Sequence, residues 1–228
     1  MQVALATAGL APAHDAGRDE RAPPSLWARD AAGAGSRRRV AAEEEIYAEG
    51  DRAVHFYKVM SGAVRTYRLL SDGRRQIDGF HLPGDIFGLE AGDERRAGAD
   101  AVADTTLLAF RHGDRDALAG EAGALAREVV AAMLRALERA QDHMLLLGRK
   151  SARERVASFL LGLAGRAGSD GTVALPMSRA DIADHLGLTI ESVSRTFTGL
   201  ERDGVIALSA QRRAVVLRDE AALRRLDA

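Results

Sequence analysis

The period of apolar positions changes along the chain. Between about residue 38 and residue 112, short apolar or alternating runs (VHFYKVM, AVRTYRLL, RQIDGFHL, IFGL) sit between turn signals. The turns are Glu49-Gly50-Asp51, Ser61-Gly62, Asp72-Gly73 and Pro83-Gly84-Asp85, with glycines roughly eleven residues apart. Strands punctuated about every 8–12 residues predict a sandwich, barrel or jelly roll, and VADTTLLAFRH supplies one strand more.

The period then becomes helical. Ala126, Val130, Met133, Leu137, Ala140, Met144 and Leu147 alternate steps of four and three. Such a stripe can lie on the β domain as core. Its strict heptad form, with Arg135, Glu138, Arg139 and Asp142 outside it, predicts a pair of helices and hence a homodimer. Gly148 marks the predicted end of this helix. Ser151 can cap another, with Val156, Phe159, Leu160 and Leu163 inward, and Thr172 to Leu175 reads as a short strand.

The densest pattern is LPMSRADIADHLGLTIESVSRTFTGLERDGVI, residues 175–206. Ser178 with Asp181 three residues on is a capping-box-like start, and Ile182, Ala183 and Leu186 share one face. Gly187 suits a tight turn. Thr189 caps a second helix whose apolar stripe is Ile190, Val193, Phe197 and Leu200. Two short helices around a glycine turn form a helix-turn-helix, a motif that also occurs in bundles without nucleic acid. As a DNA reader it would lay the second helix in the major groove. Glu191, Ser194 and Arg195 are then the base readers. Arg can donate twice to guanine, Glu can accept from cytosine N4, and Ser can do either. Asp203-Gly204 reads as the end of a further segment. VIALS and RAVVL around Ala210-Gln211-Arg212-Arg213 read as a two-stranded wing. Arg212 and Arg213 at its tip, with Arg179, Ser178, Thr189 and Ser192, are the expected phosphate contacts.

Composition narrows the classes. The chain has 228 residues and a formal net charge of −1, which excludes a wholly basic coat but allows a local basic face. From Arg149 onward, Lys and Arg outnumber Asp and Glu. There is no cysteine, so disulfides and thiolate-held clusters are excluded. No apolar run approaches the length of a membrane span, and no signal peptide is evident, so a cytoplasmic protein is expected. Residues 1–36, rich in Ala, Gly and Pro, read as a mobile arm. His14, His55, His81, His112, His143 and His185 lack metal-ligand spacing. A metal-binding jelly-roll enzyme would need a clustered His pair and a carboxylate, which His55 and His81 alone do not supply. No metal, no cofactor and no enzymatic activity are expected.

The chain is thus α+β, with four parts: the arm (1–36), a β-roll (37–121), a dimerisation helix (122–148) and a winged helix-turn-helix (149–228). From about residue 40 onward this order resembles the Crp–Fnr family of bacterial transcription regulators, with their cyclic-nucleotide-binding-like β-roll. The likeness rests on EGDRAVHFYKVMSGAVRTYRLLSDGRRQIDGFHLPGDIFGLEAG, with its PGDxFG turn, and on LGLTIESVSRTFTGLERDGVI. Glu191, Ser194 and Arg195 match the Glu-x-x-Ser-Arg pattern of the FNR/FixK-like branch. The resemblance implies that these residues read a TTGAT-like half-site of an inverted repeat, with Ile190 against a thymine methyl. It also implies an activator that works with RNA polymerase as a further partner.

The departures matter as well. The cysteines that hold an oxygen-labile cluster in FNR itself are absent. The cyclic-nucleotide branch places a ribose-binding glutamate after the FG turn and an Arg-Ser or Arg-Thr pair on the phosphate. Here Leu89 follows Phe87-Gly88, Glu90 comes one residue late, and the pair is Arg95-Arg96. On a strand, a shift of one residue turns a side chain to the opposite face. The resemblance therefore points to the FixK-like group, with a vestigial sensor. A ligand-gated regulator is the alternative within the fold. A nucleotide-binding module acting by protein contact alone is the alternative of another class.

Overall fold

The computed structural model describes residues 28–29, 35–112, 123–166, 171–211 and 213–227. Among them, two antiparallel sheets face each other in the first half of the chain. One sheet runs, in spatial order, β1 (Ala28–Arg29), β2 (Ser36–Val40), β9 (Thr105–Arg111), β4 (His55–Ser61) and β7 (Ile86–Phe87). The other runs β3 (Glu45–Tyr47), β8 (Gly98–Ala101), β5 (Val64–Leu69) and β6 (Arg75–His81). Alternation along β9 turns Thr105, Leu107 and Ala109 inward, where Leu107 and Ala109 meet Val40, Ile46, Tyr47, Tyr57, Val59, Val64 and Phe87. The expected β-roll is present. Strand pairing reaches into the proposed arm: β1 pairs with β2, which begins at Ser36. The rest of the arm, residues 1–27 and 30–34, lies outside the described residues.

The long helix α1 spans Gly123–Arg149, one residue past its expected end at Gly148. It carries two stripes rather than one. Ala132, with Leu125 and Val129, packs on Phe56, Ile86 and Phe110 of the first sheet, and Leu146 is buried in the C-terminal core. Lys58 reaches Glu128 across this junction at 2.5 Å.

The C-terminal domain holds α2 (Ala152–Ala164), β10 (Thr172–Ala174), α3 (Arg179–Leu186), α4 (Ile190–Arg202), β11 (Ile206–Leu208), β12 (Ala214–Leu217) and α5 (Glu220–Asp227). The wing is the antiparallel set β10-β12-β11. Asp203 is the C-cap of α4 itself, so Asp203-Gly204 closes the second motif helix and not a further segment. Val156, Leu160, Ile182, Leu186, Val193, Phe197, Leu200, Ile206, Val215 and Leu223 fill the core. That core is continuous with Ala63, Ile77, Phe80 and Val102 of the β-roll, so the two domains are packed together through apolar contact.

Candidate nucleic-acid interface

Local chemistry starts each helix of the motif. The Ser178 side chain accepts from Asp181 N, and the Asp181 carboxylate accepts from Ser178 N at 3.0 Å and Ser178 Oγ at 2.7 Å. This full capping box opens α3. Gly187 ends it at φ 60°, ψ 41°, a left-handed conformation that suits glycine. A Cβ there would also lie 3.2 Å from Leu147 Cδ2. Thr189 then caps α4, its Oγ1 accepting from Ser192 N at 3.2 Å.

On α4, Val193, Phe197 and Leu200 are buried and hold the helix on α3 and α2. The opposite face presents Glu191, Ser194 and Arg195, all exposed. Ile190, expected in the apolar stripe, is 48% exposed instead, because it is the first residue of α4 and the core does not reach that turn. Glu191 is held below the usual carboxylate range by its own backbone N–H, the Thr189 hydroxyl and the Arg195 charge. It is an ionised acceptor beside a guanidinium donor, two groups that can bond to base edges in a major groove. Thr198 is also exposed on this face. The sequence reading missed it, although its i+7 spacing from Glu191 and i+4 spacing from Ser194 were available.

The expected phosphate contacts divide. Ser178 and Thr189 are exposed at the two caps, Ser192 is half-buried between Thr189 and the helix, and Arg213 is exposed beside β12. Arg212 lies outside the described residues. Arg179 departs from expectation: its guanidinium lies 3.4 Å from the centre of the Phe197 ring, with both Nη atoms buried, so it supports the motif from within.

Exposure also sorts the heptad stripe. Val130, Met133, Leu137, Ala140 and Met144 face outward, with Leu134 and Leu145 beside them. Leu147, placed in the same seam by its spacing, instead packs partly against the C-terminal core, because α1 meets α3 at that level.

In the β-roll, the positions that a cyclic nucleotide would need divide: Arg95 is buried, Leu89 and Glu90 are half-buried, and Arg96 is exposed. Arg95 is 2% exposed, donates to Gly88 O at 2.8 Å and His55 O at 2.5 Å, and stacks 4.0 Å from the centre of the Tyr47 ring. Burial pushes the Tyr47 phenol well above its usual range. Leu89 packs against Phe56, Ile86 and Phe110. The Glu90 carboxylate accepts from Arg96 N at 3.5 Å. Residues 88–90 lie beyond the end of β7 in a loop, so the strand-face reason for discounting Glu90 does not apply. Among the described residues, no group of three or more His, Asp or Glu side chains converges as a metal site. No described helix is long and apolar enough to cross a membrane.

Comparison with known proteins agrees with this arrangement. A model of the cyclic nucleotide-binding domain matches residues 37–122, and one of the Crp-like helix-turn-helix domain matches residues 154–226. The nitrogen fixation regulation protein FixK of Azorhizobium caulinodans is 49% identical over 92% of this chain and 85% of its own. The transcriptional activatory protein AadR of Rhodopseudomonas palustris is 44% identical over 75% of this chain and 73% of its own. The structure of FixK2 from Bradyrhizobium japonicum superposes with a TM-score of 0.79 at 47% identity, covering 85% of this chain and 98% of that one. The outward face of α4, its Glu-x-x-Ser-Arg pattern and these likenesses converge: the chain belongs to the Crp–Fnr family of DNA-binding transcription regulators, in its FixK-like branch.

Proposed function

We propose that the protein acts in the cytoplasm as a homodimeric activator that binds an inverted TTGAT-like repeat and works with RNA polymerase, without a small-molecule effector. The observation that carries the reading is the exposed set Glu191, Ser194 and Arg195 on α4. Arg195 and Glu191 specify the bases, Ser194 assists, and Ile190 meets a thymine methyl. Ser178, Thr189, Ser192, Arg212 and Arg213 set the register on phosphate, and Arg179 joins them only by swinging off Phe197. The partner subunit is held by the outward stripe of α1, centred on Leu137. Two half-sites then lie about one helical turn, roughly 34 Å, apart. Effector independence is supported by Arg95, whose guanidinium faces two carbonyls and a tyrosine ring rather than an open cavity. The reading assigns the chain no catalytic role.

Selection of random duplexes by the purified protein tests this function. Enrichment of an inverted repeat with TTGAT-like arms is expected. Enrichment of a direct repeat, or of no sequence at all, would contradict it.

A further inference from the structure

The Asp181 carboxylate that opens α3 is also gripped by the β-roll. Arg65 on β5 donates to Asp181 Oδ1 at 3.1 Å, and Arg75 on β6 donates to the same oxygen at 2.6 Å. Arg75 Nε also reaches Asp184 Oδ2, one helical step on, at 3.0 Å. Arg65 is anchored from behind by Glu43 at 2.7 Å and Asp100 at 3.1 Å. The Arg65 and Asp181 side chains are 7% and 4% exposed. Around this pair, Gln76 donates to His185 O at 3.3 Å, and His185 Nδ1 lies 3.1 Å from Ile77 O. The first helix of the DNA-reading motif is therefore fastened to the outer edge of the roll by charge-assisted, directional bonds.

An ion pair this deeply buried is a poor source of net stability, since desolvating both charges offsets their attraction. Its geometric strictness is its distinctive property. An apolar contact such as Phe80 against Phe159 tolerates sliding, whereas two guanidinium groups on one carboxylate do not. The roll carries α1, and α1 carries the dimer contact. The orientation of α3 on the roll thus sets how far apart two copies of α4 stand.

We infer that Arg65 and Arg75 are positioning residues for DNA recognition: through Asp181 and Asp184 they fix the spacing between half-sites that the dimer accepts. This rests on the dimeric DNA-binding reading above. Neither arginine need touch DNA.

The test uses the full-length protein and four kinds of duplex. They carry two half-sites at the selected spacing, the same half-sites one base pair closer, the same one base pair farther, or one intact half-site alone. The parent should bind the selected spacing at least tenfold more tightly than either neighbour. Arg75→Ala leaves the Ser178–Asp181 cap in place. It should lose about tenfold at the selected spacing, equivalent to about 1.4 kcal/mol. It should also bind the three two-site duplexes within about threefold of one another, and keep its single-half-site affinity within about twofold. Arg75→Lys should restore part of the spacing preference. Asp184→Asn, which removes only the outer negative charge, should broaden the profile less than Arg75→Ala. An Arg75→Ala protein with the parental spacing profile would overturn the inference. So would a single-half-site affinity that falls as far as the two-site affinity, since that marks damage to the motif itself. A parent that selects no duplex would overturn the DNA-binding reading and this inference with it.

Discussion

Arg95 in the roll and Arg195 on α4 are the same side chain put to opposite uses. Arg95 is buried against Tyr47 and spends its donors on Gly88 O and His55 O. Arg195 stands exposed beside Glu191 with its donors turned to solvent. The same contrast runs through the two domains. Around Arg95 the polar groups of the roll close on one another, whereas the C-terminal domain presents an outward-facing set at the start of one helix. An arginine buried with both Nη atoms on main-chain carbonyls is held away from a ligand, and one on the surface of a rigid helix can meet a base edge. The environment of the guanidinium, not its presence, separates the two. α1 couples the two, with one stripe on the roll and the other facing outward.

The coupling can be broken first. Leu137→Glu places a charge at the centre of the outward stripe, where a partner helix would bury it without a counterion. The expected cost is roughly 3–5 kcal/mol of association. Sedimentation at micromolar concentration should show a monomer, and binding to a two-site duplex should be lost. A variant that stays dimeric would move the interface off this face.

Arg95→Ala should unmake the roll and spare the reading. It strips two buried carbonyls of their donor and leaves a space under Tyr47, a cost of roughly 2–5 kcal/mol in stability. Discrimination between matched and mismatched half-sites should be unchanged in the protein that remains folded. Loss of discrimination without loss of stability would reverse the roles of the two arginines.

Acid should attack the junction between the two regions. His185 sits between Phe80, Phe159 and the stacked His143, with ring centres 4.3 Å apart in the histidine pair. Burial, then the neighbouring His143, lowers its pKa to about 4. Burial likewise holds His81 at about 4. Both are neutral in the folded protein, while the unfolded chain takes up protons near pH 6.5. The unfolded state therefore binds more protons throughout this window, and stability falls as pH drops from about 6.5 towards 4. At about 1.36 kcal/mol per unit, His185 alone contributes roughly 3 kcal/mol to that loss. Denaturant unfolding at pH 7.5 and pH 5 checks it, and His185→Gln should flatten the slope. An unchanged slope in that variant would remove His185 from the explanation.

Arg195→Ala is the mirror of Arg95→Ala. Stability should move by less than about 0.5 kcal/mol, as for an exposed residue. Preference for the guanine of the half-site should fall by roughly 1–3 kcal/mol, read as the affinity ratio between matched and guanine-replaced duplexes. A ratio equal to the parent's would assign that base to another side chain.

Much of this contrast is written in local pattern. Ser178, Asp181, Gly187 and Thr189 act within a few residues of themselves, so caps, turn and exposed face of α4 follow from spacing. The roll was legible as alternation between glycine turns, yet β2, β3 and β8 were not. β8 reads Gly98-Ala99-Asp100-Ala101, with no residue of high strand propensity. The reason is a close approach: a Cβ on Gly98 would lie 3.0 Å from Tyr67 Cζ. β2 carries Arg37, Arg38 and Arg39 in a row, and Arg38 is drawn inside by Ile46 O at 3.0 Å. The α1 stripe was legible as a seam, but its second stripe and the inward turn of Leu147 depend on which surfaces lie alongside. The pairing of Arg65 and Arg75 with Asp181 joins residues more than a hundred positions apart, and no local period encodes it.

The contrast between a closed roll and an open reading face is tested most directly by titrating cAMP and cGMP against labelled operator DNA in the presence of the purified protein. A ligand can change DNA affinity only by binding the DNA-competent form more tightly than the other form, and a roll whose Arg95 is buried on Gly88 O and His55 O offers no such difference. Affinity for the operator should stay constant across the titration, within about twofold. A rise of more than about tenfold, equivalent to about 1.4 kcal/mol of coupling, would contradict the closed roll and make the protein a ligand-gated regulator.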